Sequence, residues 1–347
     1  MALVSRIALS GPPATDPEDF LSDTLGVVFP DDVMNQHGDA EHGLVYTSPY
    51  LPKPLNLSLA DPDQDEDRRL FSHYLWNSSL LMAELVEAGA LRLGDGDRAS
   101  SLLLGNSPSA GGGDIAAQAQ PADGAVPPAL AGTGSCSPEN GGPAEAHAFD
   151  VTGLSTLELG AGTALPSILA ALLGARRVAV TDYPADSVVP NMRANVRRNV
   201  QASFSPLGTA LAGADLVVEG HAWGEVPPAE GNPLAGDAYE HVFDRVIACD
   251  CLWMPWQHQN LRASIDWFLA RTPSARCWVV AGFHTGRDKL RDFFSVPALE
   301  AVGLVVEKIW ERDCEGFERE WAWDWPGEDI TARKRWQVVA ILKRTMS

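Results

Sequence analysis

Glu158, Gly160 and Gly162 stand close together in the stretch TLELGAGTALPS, where an apolar run carries a carboxylate and then turns through two glycines. A glycine-rich turn between a strand and a helix lets a ligand approach the backbone, because no Cβ atom holds it away. In open α/β sheets such turns lie beyond the carboxyl ends of the strands, where ligands bind. Short glycine patterns also occur in turns that bind nothing, so neighbouring residues must decide between the two interpretations.

The residues that follow the turn distinguish between classes of nucleotide ligand. A dinucleotide site uses a third glycine in G-x-G-x-x-G to pack close to the pyrophosphate, and Leu165 occupies that position here. Asp182 ends the apolar run VAVTD about twenty residues downstream, where an acid accepts hydrogen bonds from ribose hydroxyls. The pattern therefore favours a nucleoside without a diphosphate, a description that S-adenosylmethionine fits, and it disfavours an NAD-dependent oxidoreductase.

Strands and helices that alternate along residues 149–347 must position this turn. The strands STLEL, RRVAVTD, ADLVVEG, FDRVIACD and RCWVVAGF are interleaved with amphipathic or apolar helices. Such interleaving predicts crossover units, hence an α/β fold with a mainly parallel sheet and helices on both faces. The last two strands, LVVEKIW and RWQVVAILKR, are separated only by a loop, which predicts an antiparallel hairpin at the edge of the sheet.

Composition divides the chain into four segments. Residues 1–66, rich in Pro and acidic groups at their start, are predicted to form a partly disordered amino-terminal arm, and residues 67–93 a helix that packs on the core. Residues 94–148 are dense in Gly, Ala, Pro and Ser, so we expect a low-complexity, disordered insertion that buries too little surface to fold. Residues 149–347 form the main domain.

Charge and cysteine usage limit the partners and the compartment. The formal net charge of −20 disfavours nucleic acids as partners, because such binding is built on clustered Lys and Arg. No apolar run approaches the ~18 residues of a membrane span, and the chain starts without the apolar core of a signal peptide. Five Cys without framework spacing indicate a reduced, intracellular protein. We expect a monomer located in the cytoplasm, and the nucleus is the alternative location.

Four motifs in order carry a family resemblance. The segment LELGAGTALPSILAALLGARRVAVTDYP, with HYLWNSSLLMAELV before it and HAWG and VIACDCLWMPWQHQNL after it, resembles the Rossmann-like, seven-stranded class I methyltransferases. It is more closely similar to the branch of protein-lysine methyltransferases and fungal nicotinamide N-methyltransferase-like proteins, some of which modify translation elongation factor 1A. The resemblance covers residues 67–345 outside the insertion.

The resemblance implies an activity and leaves its acceptor open. It implies S-adenosylmethionine as cofactor and N-methylation of a protein, at lysine or at an N-terminal amine. A small nitrogen heterocycle of the nicotinamide kind is the alternative acceptor. A domain that binds the cofactor without turnover, and serves as an interaction module, is a third hypothesis.

Cofactor-binding roles follow from the resemblance, position by position. Gly160 and Gly162 are expected to let the backbone approach the methionine and ribose portion, with Glu158 fixing the loop. Asp182 is expected to hold the ribose hydroxyls, and Tyr183 to lie beside the adenine. An Asp at the end of a strand also caps helices, which is the simpler interpretation of Asp182.

Aromatic residues and a second strand-end acid complete the implied site. Trp223 is expected near the adenine and Trp76 over the methionine end, although Trp residues more often pack in cores. Asp250 and Trp253 are expected to border the transferred methyl group, with Asp250 also touching the cofactor. Trp253 stands where the branch usually has Tyr or Phe, which changes the acceptor pocket.

The loop before the last strand, ERDCEGFEREWAWDWPGEDI, combines acids with Trp321, Trp323 and Trp325 at alternating positions. If this loop is extended, the three Trp side chains share one face. They then either cap the sheet beneath solvated acids or form a recognition surface for a basic, Lys-bearing protein segment. We expect no metal site, because Cys249 and Cys251 lack a second pair of ligands.

Overall fold

The computed structural model describes residues 2–11, 34–38, 42–61, 74–93, 148–236, 238–283 and 285–345. The predicted insertion, apart from Ala148, lies outside these residues. So do residues 12–33 of the predicted arm and the start of the predicted helix, residues 67–73.

Strands supply the framework of the described chain. In chain order they are β1 Ile7–Ser10, β2 Gln36–His37, β3 Gly43–Tyr46, β4 Leu55–Leu57, β5 Leu75–Trp76, β6 Ser155–Leu159, β7 Arg177–Asp182, β8 Leu216–Gly220, β9 Arg245–Cys249, β10 Arg276–Gly282, β11 Leu304–Asp313, β12 Glu318–Glu320 and β13 Trp336–Arg344. Eight of them form one sheet in the order β12-β11-β13-β10-β9-β6-β7-β8.

The sheet confirms the predicted α/β fold. The neighbouring strands from β10 through β9, β6 and β7 to β8 are parallel. Strand β13 pairs antiparallel with both β10 and β11, so the last two long strands form the predicted antiparallel pair. The eighth strand, β12, was not predicted; it arises because Glu318–Glu320, inside the predicted loop, fold back antiparallel onto β11.

Helices cover both faces of the sheet, as predicted. Their bounds are α1 Asn77–Ala90, α2 Leu165–Leu172, α3 Val188–Asn199, α4 His258–Phe268, α5 Asp288–Arg291, α6 Val296–Glu300 and α7 Ile330–Lys334. Apolar side chains of α1, α2 and α3 form one core cluster on one face, and those of α4, α5 and α6 form another. Within the described ranges, no helix has both the length and the apolar character needed to cross a membrane.

The described part of the amino-terminal arm contains a small sheet that packs on the core. Strands β1, β3 and β4 form a three-stranded antiparallel sheet. Leu3, Leu44, Tyr46 and Leu55 are buried in the same cluster as α1. Alternating apolar positions in the pattern GLVY place every second side chain in this core.

The helix predicted from residue 67 begins at Asn77 in the described chain, because Leu75 and Trp76 form β5 and pair with β2. Asn77 holds this junction in place. Its backbone N–H donates to the Asn35 carbonyl at 2.9 Å, and its Nδ2 donates to the Met34 carbonyl at 3.0 Å. The arm therefore fixes the entry to α1, where Trp76 lies.

Candidate active site

A cleft lies at the carboxyl edge of the parallel strands, where ligands bind in open α/β sheets. Its wall contains eight of the predicted site residues: Trp76, Gly160, Gly162, Asp182, Tyr183, Trp223, Asp250 and Trp253. Four of the five sequence segments that converge here lie at or just after the ends of strands β6, β7, β8 and β9, because parallel strands end at one edge, and Trp76 joins them from β5, directly before α1. Glu158 is the one predicted site residue that does not line the cleft.

The glycine turn after β6 has the backbone geometry that its sequence suggests. Gly160 and Gly162 have φ angles of 70° and 53°, in the left-handed region that favours glycine. A Cβ atom on Gly160 would lie 2.8 Å from Cys251 Sγ and 3.0 Å from Trp223 Cζ2. Gly160 is therefore required by the protein's own packing, a reason that the sequence did not reveal.

Asp182 closes the turn from the neighbouring strand. Its Oδ2 accepts the Gly162 N–H at 2.7 Å, and its Oδ1 accepts the Tyr183 N–H at 2.7 Å. Burial raises the pKa of this carboxyl to about 6, and the two backbone hydrogen bonds oppose that rise. Each oxygen keeps a further lone pair with which it can accept a ligand hydroxyl.

Glu158 lies beneath the turn. It is fully buried, and its Oε2 accepts hydrogen bonds from the backbone N–H and the hydroxyl of Ser167, in the first turn of α2. Burial raises its pKa to about 8, so the carboxyl is largely protonated at neutral pH. The contacts match the predicted role of fixing the loop, but they do not place Glu158 against a ligand.

Asp250 occupies the end of β9 in an unusual backbone conformation. Its φ angle of 55° is left-handed, which costs a non-glycine residue about 1–2 kcal/mol. Two hydrogen bonds hold it there: its N–H donates to the Val280 carbonyl at 2.8 Å, and its Oδ1 accepts the Gly282 N–H at 3.2 Å. Such strain is retained only where the surroundings determine the conformation, and it is concentrated at functional sites.

Two Trp residues follow Asp250 at the mouth of the cleft. The rings of Trp253 and Trp256 meet edge to face, with centroids 6.3 Å apart. Trp253 lines the cleft, whereas Trp256 is 70% exposed. This side of the cleft therefore presents an aromatic wall that reaches the surface.

The turn that carries Trp223 contains a residue that sequence reasoning missed. His221 is buried and lines the cleft, and its Nε2 lies 2.9 Å from Ser264 Oγ in α4. The Gly224 N–H donates to the same oxygen at 2.9 Å. Ser264 thus ties both sides of Trp223 to α4, and no local pattern could have revealed a partner so distant in sequence.

Comparison with known proteins finds a family match and several relatives. Residues 139–297 match the family model described as lysine methyltransferase. The "Protein N-terminal and lysine N-methyltransferase efm7" of Neurospora crassa is 28% identical over 212 residues, which cover 54% of this chain and 71% of that protein. The protein of the same name from Aspergillus fumigatus is 32% identical over 187 residues, which cover 53% of this chain and 66% of that protein.

The chain is an S-adenosylmethionine-dependent methyltransferase. A third relative, "Protein N-terminal and lysine N-methyltransferase EFM7" of Eremothecium gossypii, is 34% identical over 168 residues; the match covers 48% of this methyltransferase and 59% of the relative. The chain thus spans about three fifths to seven tenths of the lengths of these relatives.

Solved structures resemble the methyltransferase only distantly. A ribosomal protein L11 methylase from Lactobacillus delbrueckii subsp. bulgaricus has a TM-score of 0.33 and 15% identity, covering 56% of this chain and 72% of that one. An arsenic(III) S-adenosylmethionine methyltransferase from Chlamydomonas reinhardtii has a TM-score of 0.35 and 14% identity, covering 57% and 64%. Likeness at this level carries no argument about substrate.

The cleft of the methyltransferase fits S-adenosylmethionine on chemical grounds. Asp182 presents a carboxylate at the end of β7, where ribose hydroxyls are held in nucleotide-binding sheets. Thr163 Oγ1 and His221 Nδ1 belong to cleft residues, are buried, and have no hydrogen-bond partner within the described residues. Buried polar atoms of this kind are rare unless a ligand or water completes them.

The Trp-rich loop of the methyltransferase, residues 311–330, is not extended along the three Trp residues. Strand β12 ends at Glu320, and the residues after it are not in a strand. Trp321 and Trp323 contact each other with centroids 5.0 Å apart, whereas Trp325 packs on the Arg319 guanidinium at 4.4 Å. The three side chains therefore do not form one row.

A buried ion network holds this loop against the end of the sheet. The Arg287 guanidinium donates to both oxygens of Glu311, at 2.5 and 2.8 Å, and to Glu328. Arg319 bonds the same two acids, and Trp325 Nε1 donates to Glu311 at 3.2 Å. Glu311 is fully buried, so the charges are paired away from water.

Cys249 and Cys251 both line the cleft as buried free thiols. Burial raises the pKa of both thiols well above the ordinary value. Cys251 Sγ donates to the Leu159 carbonyl at 3.3 Å. Across the part of the chain that the structure describes, no group of three or more His, Cys, Asp or Glu could hold a metal ion.

Proposed function

We propose that this methyltransferase methylates an amine nitrogen of a protein, at a lysine side chain or at an N-terminal amine. The observation that carries the proposal is the strained Asp250 beside Trp253, with Trp256 continuing the aromatic wall to the surface. An acceptor attached to a protein must reach the cleft from outside, and this wall provides a path. The three fungal relatives have names that describe the same activity.

The cofactor half of the site is proposed from the geometry of the cleft. Gly160, Gly162 and Asp182 would hold the ribose and methionine portion, with Tyr183 and Trp223 beside the adenine and Trp76 over the methionine end. Glu158 would act beneath the turn, through Ser167, rather than by contact. When bound, S-adenosylmethionine supplies an electrophilic methyl group on a positively charged sulfur.

The acceptor half must present a neutral amine in line with that methyl group. Alignment of the reacting atoms is the main contribution expected of the protein. A lysine amine with an ordinary pKa of about 10.4 is mostly charged at pH 7, and an aromatic wall favours the neutral form by removing water. Asp250 would orient the amine and stabilise the positive charge that develops as the N–C bond forms and the C–S bond breaks. The nitrogen then loses a proton to solvent.

Recognition of the protein substrate is proposed to involve acidic residues of the Trp-rich loop. Trp321 stacks on Phe283, which follows β10, so this loop lies at the same edge of the sheet as the cleft. Its acids Glu318, Glu320 and Asp324 are exposed, and the Asp324 side chain is 87% accessible. Such a surface would attract a basic, Lys-bearing segment and raise its association rate.

Charge reversal tests this surface. We expect Glu320→Lys with Asp324→Lys to lower kcat/KM for a protein substrate several-fold at low salt, and less at high salt. The matched control reverses Asp215 and Glu300, which are exposed acids ahead of β8 and β11 at the opposite edge. Equal kcat/KM values for the two double variants would eliminate the loop as a recognition surface.

The acceptor class is tested by transfer of labelled methyl from S-adenosylmethionine into a cell extract, separated into protein and small-molecule fractions. Label in a protein band that depends on active enzyme is the expected result, and peptide mapping then distinguishes lysine from an N-terminal amine. Label only in small molecules would instead show a heterocycle of the nicotinamide kind as acceptor. Cofactor binding without any label would indicate an interaction module.

We further propose a cytoplasmic location and a monomeric state. The four cysteines that the structure describes are unpaired thiols, which suits a reducing compartment. The net charge of −20 argues against a nucleic-acid partner. Light scattering of the purified chain and imaging of a tagged copy test the two proposals.

A further inference from the structure

His221 occupies a position in the cleft that the assignments above leave unused. It follows β8 directly, and its backbone N–H donates to the Asp182 carbonyl at 2.7 Å. Its side chain is only 1% exposed and packs edge to face on Phe268, with centroids 5.1 Å apart. His221 is thus bonded through its backbone to the acid proposed to bind the ribose, and it precedes by two residues the Trp proposed to lie near the adenine.

The hydrogen bonds around Ser264 bear on which nitrogen of His221 carries the proton. Ser264 Oγ accepts the Gly224 N–H at 2.9 Å and lies 2.9 Å from His221 Nε2. Donation of the hydroxyl proton to His221 Nε2 would place the imidazole proton on Nδ1.

In that tautomer His221 Nδ1 is a donor, and no acceptor for it lies among the described residues. It is buried and has no hydrogen-bond partner within the described residues, although the residue lines the cleft. Burial lowers the pKa of His221 to about 4, so the ring is neutral across the physiological range. A buried donor without an acceptor is costly, and a ligand that supplied one would recover that cost on binding.

We propose that His221 is a further cofactor-binding residue, whose Nδ1–H donates to an acceptor atom of the adenosyl group. The inference rests on the proposed placement of the cofactor in this cleft. The competing explanation is purely structural: His221 serves only to tie the Trp223 turn to Ser264. The two ring nitrogens of His221 distinguish these explanations, because Nε2 contacts Ser264 and Nδ1 has no partner in the part of the chain that the structure describes.

Two amide substitutions separate the two nitrogens. In His221→Gln the side-chain carbonyl lies near the position of Nε2 and keeps an acceptor for Ser264, but the Nδ1 donor is lost. In His221→Asn the amide nitrogen lies near the position of Nδ1 and keeps that donor, but the Ser264 contact is lost. Affinity for S-adenosylhomocysteine is measured by calorimetry, and the Tm of the unliganded variants reports the structural cost.

We expect His221→Gln to bind S-adenosylhomocysteine about tenfold more weakly than the wild type, with the Tm preserved. His221→Asn should lower the Tm and weaken binding less. If His221→Gln bound as tightly as the wild type, or if affinity followed Tm across both variants, the structural explanation would replace the proposal. Failure of the wild type itself to bind S-adenosylhomocysteine would overturn the cofactor placement as well.

Nitrogen NMR of the imidazole gives a readout independent of the variants. We expect the unliganded protein to carry its His221 proton on Nδ1, and the Nδ1 resonance to shift on addition of S-adenosylhomocysteine. A proton on Nε2, or an Nδ1 resonance unchanged at saturation, would contradict the proposal.

Discussion

Gly162 and Asp182 are joined by a hydrogen bond of 2.7 Å, from the backbone N–H of one to Oδ2 of the other. The bond connects the turn after β6 to the end of β7 and fixes the carboxylate against the cleft. A residue predicted to bind ribose therefore also organises the turn predicted to receive the rest of the ligand. Its protonation state should consequently control cofactor affinity.

The affinity for S-adenosylhomocysteine should fall as pH is lowered from 7 to 5. The pKa of Asp182 is raised by burial to about 6, and protonation removes an acceptor from the ribose hydroxyls. Calorimetry across this range tests the prediction, with Asp182→Asn as the control that should bind weakly at every pH. A flat profile for the wild type would place the ribose elsewhere.

The contribution of the Asp182 carboxyl to the free energy of unfolding should change with pH in the opposite direction, increasing as pH is lowered. Its folded pKa of about 6 lies above the ordinary value of 3.8, so the folded state binds the proton more tightly than the unfolded state. The contribution is complete below about pH 4 and is lost as pH rises to about 6. Denaturant unfolding without ligand, compared with Asp182→Asn, should show this loss for the wild type alone.

Gly160→Ala should abolish cofactor binding. The new Cβ would lie within 3.0 Å of both Cys251 and Trp223 and would displace them from the cleft wall. Gly153→Ala is a matched control, because Gly153 also has a φ angle of 70° but has no atom within 4 Å of the new Cβ. Both variants should lose about 1–2 kcal/mol of stability from backbone strain. Equal affinity for S-adenosylhomocysteine in the two variants would disprove the packing argument.

The alternation of strands and helices and the glycine turn were readable from sequence because they depend on local pattern. Strand STLEL is buried at every position, as expected of a parallel strand covered on both faces. Once those strands are parallel, their carboxyl ends must meet at one edge of the sheet. The prediction that Asp182 and Asp250 border one site came from the family resemblance, and it did not give the shape of the cleft.

Features that depend on distant partners could not be read in this way. Alternation predicts that Cys249 and Cys251 share a face, but the left-handed Asp250 between them places the two thiols in different core clusters. The folding of the arm depends on α1, and the position of Trp325 depends on Arg319 and Glu311. No local pattern contains these contacts.

Asp250→Asn should lower kcat for methyl transfer about 100-fold while changing the affinity for S-adenosylhomocysteine by less than about threefold. The amide oxygen can still accept the Gly282 N–H, so the local backbone is preserved. What is lost is the negative charge that stabilises the methylated ammonium as it forms. Single-turnover kinetics at saturating cofactor measure this effect, and an unchanged rate would remove Asp250 from the acceptor site.

Arg287→Met should lower the free energy of unfolding by about 3–5 kcal/mol, because it leaves the buried Glu311 and Glu328 with one guanidinium fewer. Arg291→Met is the control. Arg291 is about half exposed and makes long contacts to Asp288 and Asp324, at 3.6 and 3.8 Å, so its loss should cost less than about 1 kcal/mol. Urea denaturation of both variants provides the comparison, and similar losses would show that the buried network contributes little.

The most direct measurement of the central claim is a crystal structure of the protein with S-adenosylhomocysteine. We predict the ribose hydroxyls on Asp182, the adenine between Tyr183 and Trp223, and the sulfur facing Asp250 and Trp253. An open path should run from the sulfur along Trp256 to the surface. A ligand bound outside this cleft, or bound with its sulfur directed away from Asp250, would contradict the proposed site and with it the proposed route for a protein amine.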